Sequence, residues 1–482
     1  MSSLPYSYLV THRAAELTAA HGSIAIGEEV QGLIVNMAGR IVLKREHGKT
    51  IFAHLLDSTG KIQLYVKLDV VGEEAFHDWK TLVLGDWVGV EGSVFKTKTG
   101  ELTIRVTSFK LLAKSVRNLP EKWHGLKDVE ARYRERYLDL ISNPESRQTF
   151  ELRSRAIKVI REFLNDRGFL EVETPMMQPI PGGATAKPFT THHNALDLEL
   201  YLRIAPELYL KRLVIGGMEK VYEINRNFRN EGISIKHNPE FTMLELYQAF
   251  VDYTTMMELF EQMVGTVLDQ VKGTRKITYQ GTELSFEVPW KRLPFYQGLS
   301  EALGFDAGAA SREQLEKACQ SHGVPVGTNW KKGELAAELF GTLVEPKLIQ
   351  PTMVFDFPME TSPLCREKRG HPELIERFEP YAFGRELGNA YSELNDPVVQ
   401  RERFIMQARL AGAEKSDGMI DEDFLQAMEY GMPPAGGLGV GIDRLVMLLA
   451  DAPSIRDVIL FPTLRPRKEQ VVSEHREKHS SQ

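Results

Sequence analysis

The chain has 482 residues, a length that suggests roughly two to four domains. Hydrophobic residues make up 42% of it and charged residues 26%, which is ordinary for a globular protein and argues against disordered, collagen-like and coiled-coil classes. Acidic residues outnumber basic ones by 66 to 59, and the net charge of -7 excludes binding of nucleic acid by bulk positive charge, although it allows a local basic face.

The two cysteines, Cys319 and Cys365, are too few for a disulfide framework or, alone, for a four-ligand zinc site, and they favour a reducing compartment. Residues 1–13 lack the charged region and apolar segment of an export signal. No uninterrupted apolar run reaches the roughly 18 residues of a membrane span. The sequence therefore predicts a cytoplasmic protein that does not bind membranes.

The first third of the chain has the pattern of a small β-barrel. Turn residues at 57–60 separate two alternating segments, which predicts a hairpin. Five short strands with tight turns favour the oligonucleotide-binding (OB) barrel, with an SH3-like barrel or a sandwich fragment as the alternative. The predicted strands lie at 30–35, 50–56, 61–68, 87–94 and 102–106.

A charged segment follows the barrel. Residues 130–137 carry mixed charges at helical spacing, which predicts a solvated linker helix, and Asn143-Pro144 marks a boundary after it. We therefore predict an N-terminal helix and barrel over 1–112, a linker over 113–148 and a second domain over 149–482.

The second domain begins with an amphipathic helix over 152–165 and a strand over 169–173. Segments at 219–228, 240–247 and 378–394 have the alternation of antiparallel strands. A domain of such strands mixed with helices is an α+β fold.

The segments 221–231 and 240–247 alternate as strands around a polar, glycine-containing middle, which predicts a hairpin loop. One face carries Arg, Glu, Asn and Tyr side chains, which would need partners if they were buried. A polar ligand would supply those partners, and a water-facing sheet surface is the equal alternative. The residues of this face are Glu223, Asn225, Asn227, Arg229, Phe241, Met243, Glu245 and Tyr247.

Two further segments carry chemistry. Alternate glycines at 436–441 allow close approach to the backbone before a helix that contains Arg444, although this pattern alone is a weak signal. Glu379 and Glu386 flank a turn, and two facing carboxylates favour a divalent cation such as magnesium, with two solvated glutamates as the alternative. Asn389, Tyr391 and Glu393 share a strand face.

Together these segments resemble the three signature motifs of the class II aminoacyl-tRNA synthetases. Motif 1 is similar to the helix and strand that end at Pro175, motif 2 to the hairpin around Arg229, and motif 3 to Gly437–Arg444. The chain most resembles the lysine–tRNA ligases (lysyl-tRNA synthetases) of this class, from about residue 28 to 466. The diagnostic stretches are 181–184, 203–211, 227–247, 391–396 and the glycine-rich motif.

The resemblance implies an OB-fold barrel that binds the anticodon and a catalytic domain built on an antiparallel sheet flanked by helices. It implies a homodimer that uses ATP to join L-lysine to tRNA(Lys) through lysyl-adenylate. It also implies Mg²⁺, up to three ions per subunit, held by Glu379 and by a bridging Glu386.

The resemblance assigns Arg229 and Arg444 as catalytic residues. Arg229 would hold the lysine carboxylate and the α-phosphate, and Arg444 would lie near the γ-phosphate. The ATP-binding set is Arg229, Glu231 at the adenine amino group, His237 at the outer phosphates, Phe241 stacked on adenine, Glu386 and Arg444.

For lysine, the resemblance assigns Glu393 and the Tyr247 hydroxyl to the ε-ammonium group, and Glu207 with the backbone near Gly183 to the α-amino group. A buried ammonium needs such acidic partners. Many family members have Phe where this chain has Tyr391, whose hydroxyl needs a partner or an exit. The full lysine-binding set is Gly183, Glu207, Arg229, Glu245, Tyr247, Asn389, Tyr391 and Glu393.

On the barrel, the resemblance implies that Phe52 stacks on an anticodon base while Arg45 and Gln63 read base edges, with Glu101 beside them. The pattern of the residues alone would place Phe52 in the barrel core.

Other functions share parts of this pattern. Aspartate and asparagine ligases have the same barrel and motifs, but the acidic Glu245 and Glu393 disfavour an acidic substrate. A paralogue that lysylates a protein lacks the anticodon barrel. A non-catalytic RNA-binding relative would lose the ATP-handling residues that are present here.

Overall fold

The computed structural model describes residues 4–117, 119, 126–184, 186–327, 330–410 and 420–467, with the side chains of 408–410 left out. The chain divides into two compact units, Met1–Lys127 and Asp128–Gln482.

The first unit is a closed five-stranded barrel with strand order β1-β2-β3-β5-β4, which confirms the predicted barrel. Alternation along β2 directs Ile51, Ala53 and Leu55 into the barrel core. Phe52 lies outside this core, so its assignment to the core from the residue pattern alone was wrong. Its elements are α1 (Ala14–His21), β1 (Glu29–His47), β2 (Thr50–Leu56), β3 (Lys61–Lys67), α2 (Leu68–Val71), α3 (Glu73–Thr81), β4 (Trp87–Lys96) and β5 (Leu102–Ala113).

Asp57 fixes the predicted hairpin turn between β2 and β3. Its Oδ1 accepts hydrogen bonds from the backbone N–H of Thr59 at 2.7 Å and of Gly60 at 2.9 Å. Its Oδ2 accepts from the N–H of Ala14 at 2.8 Å, which ties the first residue of α1 to the same turn.

The second unit begins with helices that differ from the expected solvated linker helix. Arg136 and Asp139 are buried and ion-paired at 2.5 Å, and the Arg136 side chain donates to the backbone oxygen of Leu460 at 2.9 Å. The buried pair holds this segment against the end of the unit. The helices are α4 (Val129–Arg134), α5 (Arg136–Ser142) and α6 (Pro144–Asn165), the last starting eight residues before the predicted helix.

A ten-stranded sheet forms the centre of the second unit, with the main order β14-β15-β17-β19-β20-β11-β10-β6. Its strands are β6 (Leu170–Glu171), β10 (Lys220–Phe228), β11 (Glu240–Ala249), β14 (Lys291–Pro294), β15 (Thr352–Pro358), β16 (Glu367–Lys368), β17 (His371–Ala382), β18 (Arg385–Glu386), β19 (Gly388–Ser392) and β20 (Ala435–Gly441). Small separate sheets contain β7 (Met177–Gln178), β8 (Phe189–His193) and β9 (Leu198–Leu202), and β12 (Lys276–Tyr279) and β13 (Thr282–Ser285).

Helices cover both faces of this sheet, so each face has its own core. One core joins α6, α8 and α14 to Tyr222, Leu244 and Leu246, and the other joins α7, α9 and α11 to Val221 and Tyr247. The remaining helices are α7 (Glu207–Ile215), α8 (Tyr253–Lys272), α9 (Phe295–Leu303), α10 (Arg312–Ser321), α11 (Lys332–Leu343), α12 (Pro397–Leu410), α13 (Glu422–Glu429), α14 (Ile442–Leu449) and α15 (Ile455–Val458). The α+β prediction is confirmed.

Candidate active site

The predicted polar face lies on β10 and β11 and continues onto two further neighbouring strands of the large sheet, β20 and β19. Glu223 of β10 pairs with Glu245 of β11, and Glu245 pairs with Gly439 of β20, which in turn pairs with Asn389 of β19. Two residues further along the strands, Tyr247, Gly437 and Tyr391 form a second row. Because side chains alternate along a strand, the two rows present the same face of the sheet.

Arg229 lies in the loop of the hairpin that joins β10 and β11, and one nitrogen of its guanidinium has no hydrogen-bond partner among the described residues. Its backbone N–H donates to the oxygen of Pro239 at 2.8 Å, and its guanidinium lies 5.2 Å from the centre of the Phe241 ring. Burial lowers the pKa of Arg229, and its Nε has no hydrogen-bond partner among the described residues. A buried cationic donor without a partner fits a carboxylate or a phosphate group of a ligand.

The other predicted ATP contacts surround this arginine. Phe241 is half-buried and lies outside the hydrophobic clusters of the described residues. His237 and Glu231 are exposed in the hairpin loop, where Ser234 Oγ lies 3.0 Å from His237 Nδ1. Burial of part of the ring and the nearby Arg444 lower the pKa of His237.

A buried acidic pocket lies where α7 packs against the polar face. Glu207 begins α7, and its Oε1 accepts a hydrogen bond from the Tyr391 hydroxyl at 2.7 Å. The Tyr391 hydroxyl therefore has the partner that the sequence required. Lys211 donates to the same Glu207 oxygen at 2.6 Å and also forms an ion pair with Glu393.

Glu245 is the third carboxylate of this pocket. It is 5% exposed, and the Tyr247 hydroxyl donates to its Oε1 at 2.7 Å. Burial, helped by Glu207, raises the pKa of Glu245 to about 8. Burial also raises the pKa of Glu393 well above its usual value, although Lys211 works against the shift. The pocket is thus short of positive charge and suited to a cationic ligand.

Two glycines shape the walls of the pocket. Gly183 has φ +83°, and a Cβ there would lie 2.9 Å from the Cβ of Glu207. A Cβ at Gly437 would lie 2.6 Å from Cε1 of Tyr247 and would collide with Oε1 of Glu393. The close approach predicted for the glycine-rich strand is made here by the pocket's own side chains.

The two predicted magnesium ligands lie on one hairpin but are not directly opposite each other. Glu386 of β18 pairs with Tyr381, and Glu379 lies two residues back along β17 on the same face. Burial raises the pKa of Glu379 to about 7, with Arg377 opposing the shift and Glu386 adding to it. Two carboxylates that disfavour each other's charge, with oxygen donors only, fit Mg²⁺.

Arginines surround this carboxylate pair. Arg444 in the first turn of α14 donates to the backbone oxygen of Glu386 at 2.8 Å and to its carboxylate at 3.2 Å. Arg377 donates to Asn389 Oδ1 at 2.9 Å and also binds Glu379. Asn389 therefore lies between the metal candidate and the acidic pocket.

The four anticodon candidates lie together on the barrel. Arg45 pairs across the strands with Phe52, which pairs with Tyr65, and the two rings are 5.1 Å apart. Gln63 and Glu101 hydrogen-bond to each other beside them. A second contact, 5.9 Å between the rings of Tyr65 and Phe95, continues the aromatic row. Such a row on a barrel surface suits stacking by unpaired bases.

The sequence reasoning missed three cations of the site: Lys211 and Arg203, which are buried, and Arg377, which is half-buried. Arg203 ion-pairs with Glu223 at 2.7 Å, so this carboxylate belongs to the scaffold of the face. The spacing of Glu207 and Lys211, four residues apart in a helix, was the available signal for their contact.

No helix in the described parts of the chain combines the length and apolar character that a membrane crossing needs.

Two family comparisons match the two units. Residues 128–465 match the class II tRNA synthetases (D, K and N), and residues 35–112 match the OB-fold nucleic acid binding domain.

Curated relatives are similar along most of the chain. The chain is 58% identical over 443 residues to a lysine–tRNA ligase of Carboxydothermus hydrogenoformans, covering 91% of each protein. It is 58% identical to that of Pelotomaculum thermopropionicum over 91% of this chain and 88% of the relative. It is 54% identical to that of Clostridium perfringens over 92% and 89%.

Proposed function

The chain belongs to the class II tRNA synthetases and, within them, to the lysine–tRNA ligase family, and from this premise we propose how its residues join L-lysine to tRNA(Lys) with ATP. The observation that carries the proposal is the buried acidic pocket of Glu207, Glu245 and Glu393 beside the unpartnered guanidinium of Arg229. A cationic amino acid with a free carboxylate matches both.

In the first step, the carboxylate of lysine attacks the α-phosphate of ATP and pyrophosphate leaves, which gives lysyl-adenylate. Arg229 binds both reacting groups and stabilises the charge that grows between them. Phe241 stacks on adenine, and Glu231 accepts a hydrogen bond from its amino group. His237 and Arg444 hold the outer phosphates, so that the leaving group stays in line.

Glu379 and Glu386 would hold Mg²⁺, which neutralises the triphosphate when it is bound. Arg377 and Tyr381 orient Glu379 through their hydrogen bonds. The number of ions, up to three, is part of the proposal.

In the second step, a hydroxyl of the terminal adenosine of the tRNA attacks the lysyl carbonyl, and AMP leaves. The barrel face of Arg45, Phe52, Gln63 and Glu101 binds the anticodon. We further propose a homodimer formed through the helix and strand that precede Pro175, acting in the cytoplasm.

Transfer of labelled lysine to tRNA tests this function. Wild-type protein with ATP and Mg²⁺ should charge a tRNA that carries the lysine anticodon, and should fail with a tRNA that carries an aspartate anticodon. Charging of the aspartate tRNA with aspartate, without reaction of lysine, would refute the proposal in favour of the aspartate ligases of the same class.

A further inference from the structure

Lys211 is a fully buried lysine inside the acidic pocket. It lies on α7 one helical turn after Glu207, and its Nζ is 2.6 Å from Glu207 Oε1. The same nitrogen forms an ion pair with Glu393. The rings of Tyr247 and Tyr391 lie 6.0 Å and 5.6 Å from it. Lysine is rarely fully buried in proteins unless it is paired, so these contacts define its role.

The two carboxylates that Lys211 joins are the ones proposed to bind opposite ends of the substrate. Glu207 is proposed to bind the α-amino group and Glu393 the ε-ammonium group. The resident ammonium thus bridges both ends of the pocket and fixes the positions of the oxygens that face the substrate.

Charge balance gives Lys211 a second role. The pocket holds three carboxylates that are at most 5% exposed: Glu207, Glu245 and Glu393. Arg203 is paired with Glu223, although its charge also acts to lower the pKa of Glu245, and among the described residues the ion pairs formed by the three carboxylates are those with Lys211. When all three carboxylates are ionised, this one cation leaves two negative charges, which equals the number of ammonium groups on lysine.

We propose that Lys211 is a specificity-determining residue: its charge balances one of the three pocket carboxylates, so that the pocket selects an amino acid with two ammonium groups. This inference rests on the proposed function and assigns a role to a residue that the substrate contacts do not include.

The surrounding groups predict how the pocket responds to loss of this charge. Burial works to lower the pKa of Lys211, but Glu207 and Glu393 outweigh it and raise this pKa, so the ammonium stays charged. From the neighbouring strands, Glu245, Tyr247 and Tyr391 face the same space, and Cys365 bridges to Glu393. Without Lys211, Glu245 and Glu393 lose a nearby cation that lowers their pKa values, and those raised pKa values rise further.

The first experiment measures lysine-dependent exchange of pyrophosphate into ATP for Lys211→Met. The matched control is Arg212→Met, since Arg212 is the next residue of α7 but pairs with Asp421 at 2.7 Å, outside the pocket. We expect the KM for lysine to rise on the order of tenfold or more in Lys211→Met, with little change in the KM for ATP. In the pH profile of kcat/KM for lysine, the acid limb should move to higher pH by roughly one unit.

A charge-restoring variant separates this role from a structural one. Lys211→Met with Glu245→Gln again has two unbalanced carboxylates. Its acid limb should return toward the wild-type position, and its KM for lysine should be no higher than that of Lys211→Met alone. Two structural defects would instead multiply, and the acid limb would not return.

If Lys211→Met does not fold, native protein supplies the test. Lysine binding is measured by calorimetry near pH 7.5 in two buffers of different ionisation enthalpy, and we expect net proton release because the two ammonium groups of lysine displace a proton from the carboxylates of the pocket. No proton release, or Lys211→Met behaving like Arg212→Met, would overturn the role of Lys211. No lysine-dependent exchange in wild-type protein would instead refute the proposed function.

Discussion

The barrel and the large sheet both consist of alternating strands, but they place charged groups in opposite environments. In the barrel, the alternation directs Ile51, Ala53 and Leu55 inward, and Arg45 is exposed on the outside. In the sheet, helices pack against both faces with their apolar sides, and Glu245 and Glu393 are almost completely buried.

This contrast shows how the two units bind different ligands. Exposed charges on the barrel are screened by salt and recognise a long polyanion weakly at each point. A buried charge without a partner has a large free-energy cost. The buried carboxylates of the sheet should therefore bind small ligands of opposite charge and reject those without it. Substitutions in the sheet should therefore reduce lysine activation greatly, whereas substitutions on the barrel should leave it intact.

The largest effect is expected from Arg229→Ala. This change removes the donor proposed to bind both the lysine carboxylate and the α-phosphate. The rate of lysine-dependent pyrophosphate exchange should fall by about 10²–10³-fold, as for loss of a donor that stabilises transition-state charge. Arg226→Ala is the control, since Arg226 lies on β10 three residues before Arg229 and its Nε is 3.7 Å from Glu240 Oε1. Unchanged exchange in Arg229→Ala would contradict the mechanism.

Gly437→Ala should come next. The added methyl group would lie 2.6 Å from the Tyr247 ring and would displace the Glu393 carboxylate. We expect a free energy of unfolding lower by about 1–3 kcal/mol and a higher KM for lysine. Gly441→Ala is the control, because its Cβ would lie 3.7 Å from Arg444, an ordinary contact. Equal KM values for lysine in the two variants would show that Gly437 does not shape the pocket.

Tyr391→Phe tests a single buried hydrogen bond. It keeps the ring and removes the hydroxyl that donates to Glu207 at 2.7 Å. Loss of a hydrogen bond to a charged group predicts a decrease in kcat/KM for lysine equivalent to about 1.5–3 kcal/mol. Tyr201→Phe removes a Tyr–Glu hydrogen bond of 2.8 Å that is classed as exposed, and should change little. If both variants matched wild type, the hydroxyl would have no part in lysine binding.

The smallest effect on lysine activation is expected from Phe52→Ala. Loss of one stacking ring should weaken tRNA binding by about 1–3 kcal/mol, measured by filter binding, while pyrophosphate exchange stays unchanged. Wild-type tRNA affinity should also fall as salt rises, even though the net charge is -7. A decrease in pyrophosphate exchange in Phe52→Ala, or a tRNA affinity that does not change with salt, would contradict the proposed difference between the two units.

The sequence predicted the parts of the fold that depend on local patterns. Strict alternation located β2 at 50–56, and the polar middle of the hairpin located the loop that holds Arg229. The pattern alone wrongly placed Phe52 in the barrel core, because alternation does not say which face of a small barrel strand is inside. The linker helix was expected to be solvated, because charged residues usually are, but Arg136 and Asp139 balance each other in a buried pair.

The acidic pocket could be predicted only in part. The resemblance named its carboxylates, and the structure brings Glu207, Glu245 and Glu393 together with Tyr247 and Tyr391. It gave no role to Lys211, since a lysine in an apolar helix looks like a surface residue until its neighbours are known. Contacts between residues far apart in sequence, such as Lys211 with Glu393, depend on the tertiary fold.

The central claim is that a buried acidic pocket selects an amino acid with two ammonium groups. The most direct test is pyrophosphate exchange by wild-type protein with a panel of L-lysine, L-norleucine, L-aspartate and L-asparagine at equal concentration. Norleucine keeps the length of the side chain without its ammonium group, so it separates charge from shape. The account predicts strong exchange with lysine and little or none with the other three. Exchange with norleucine equal to that with lysine, or exchange with aspartate or asparagine instead of lysine, would contradict it.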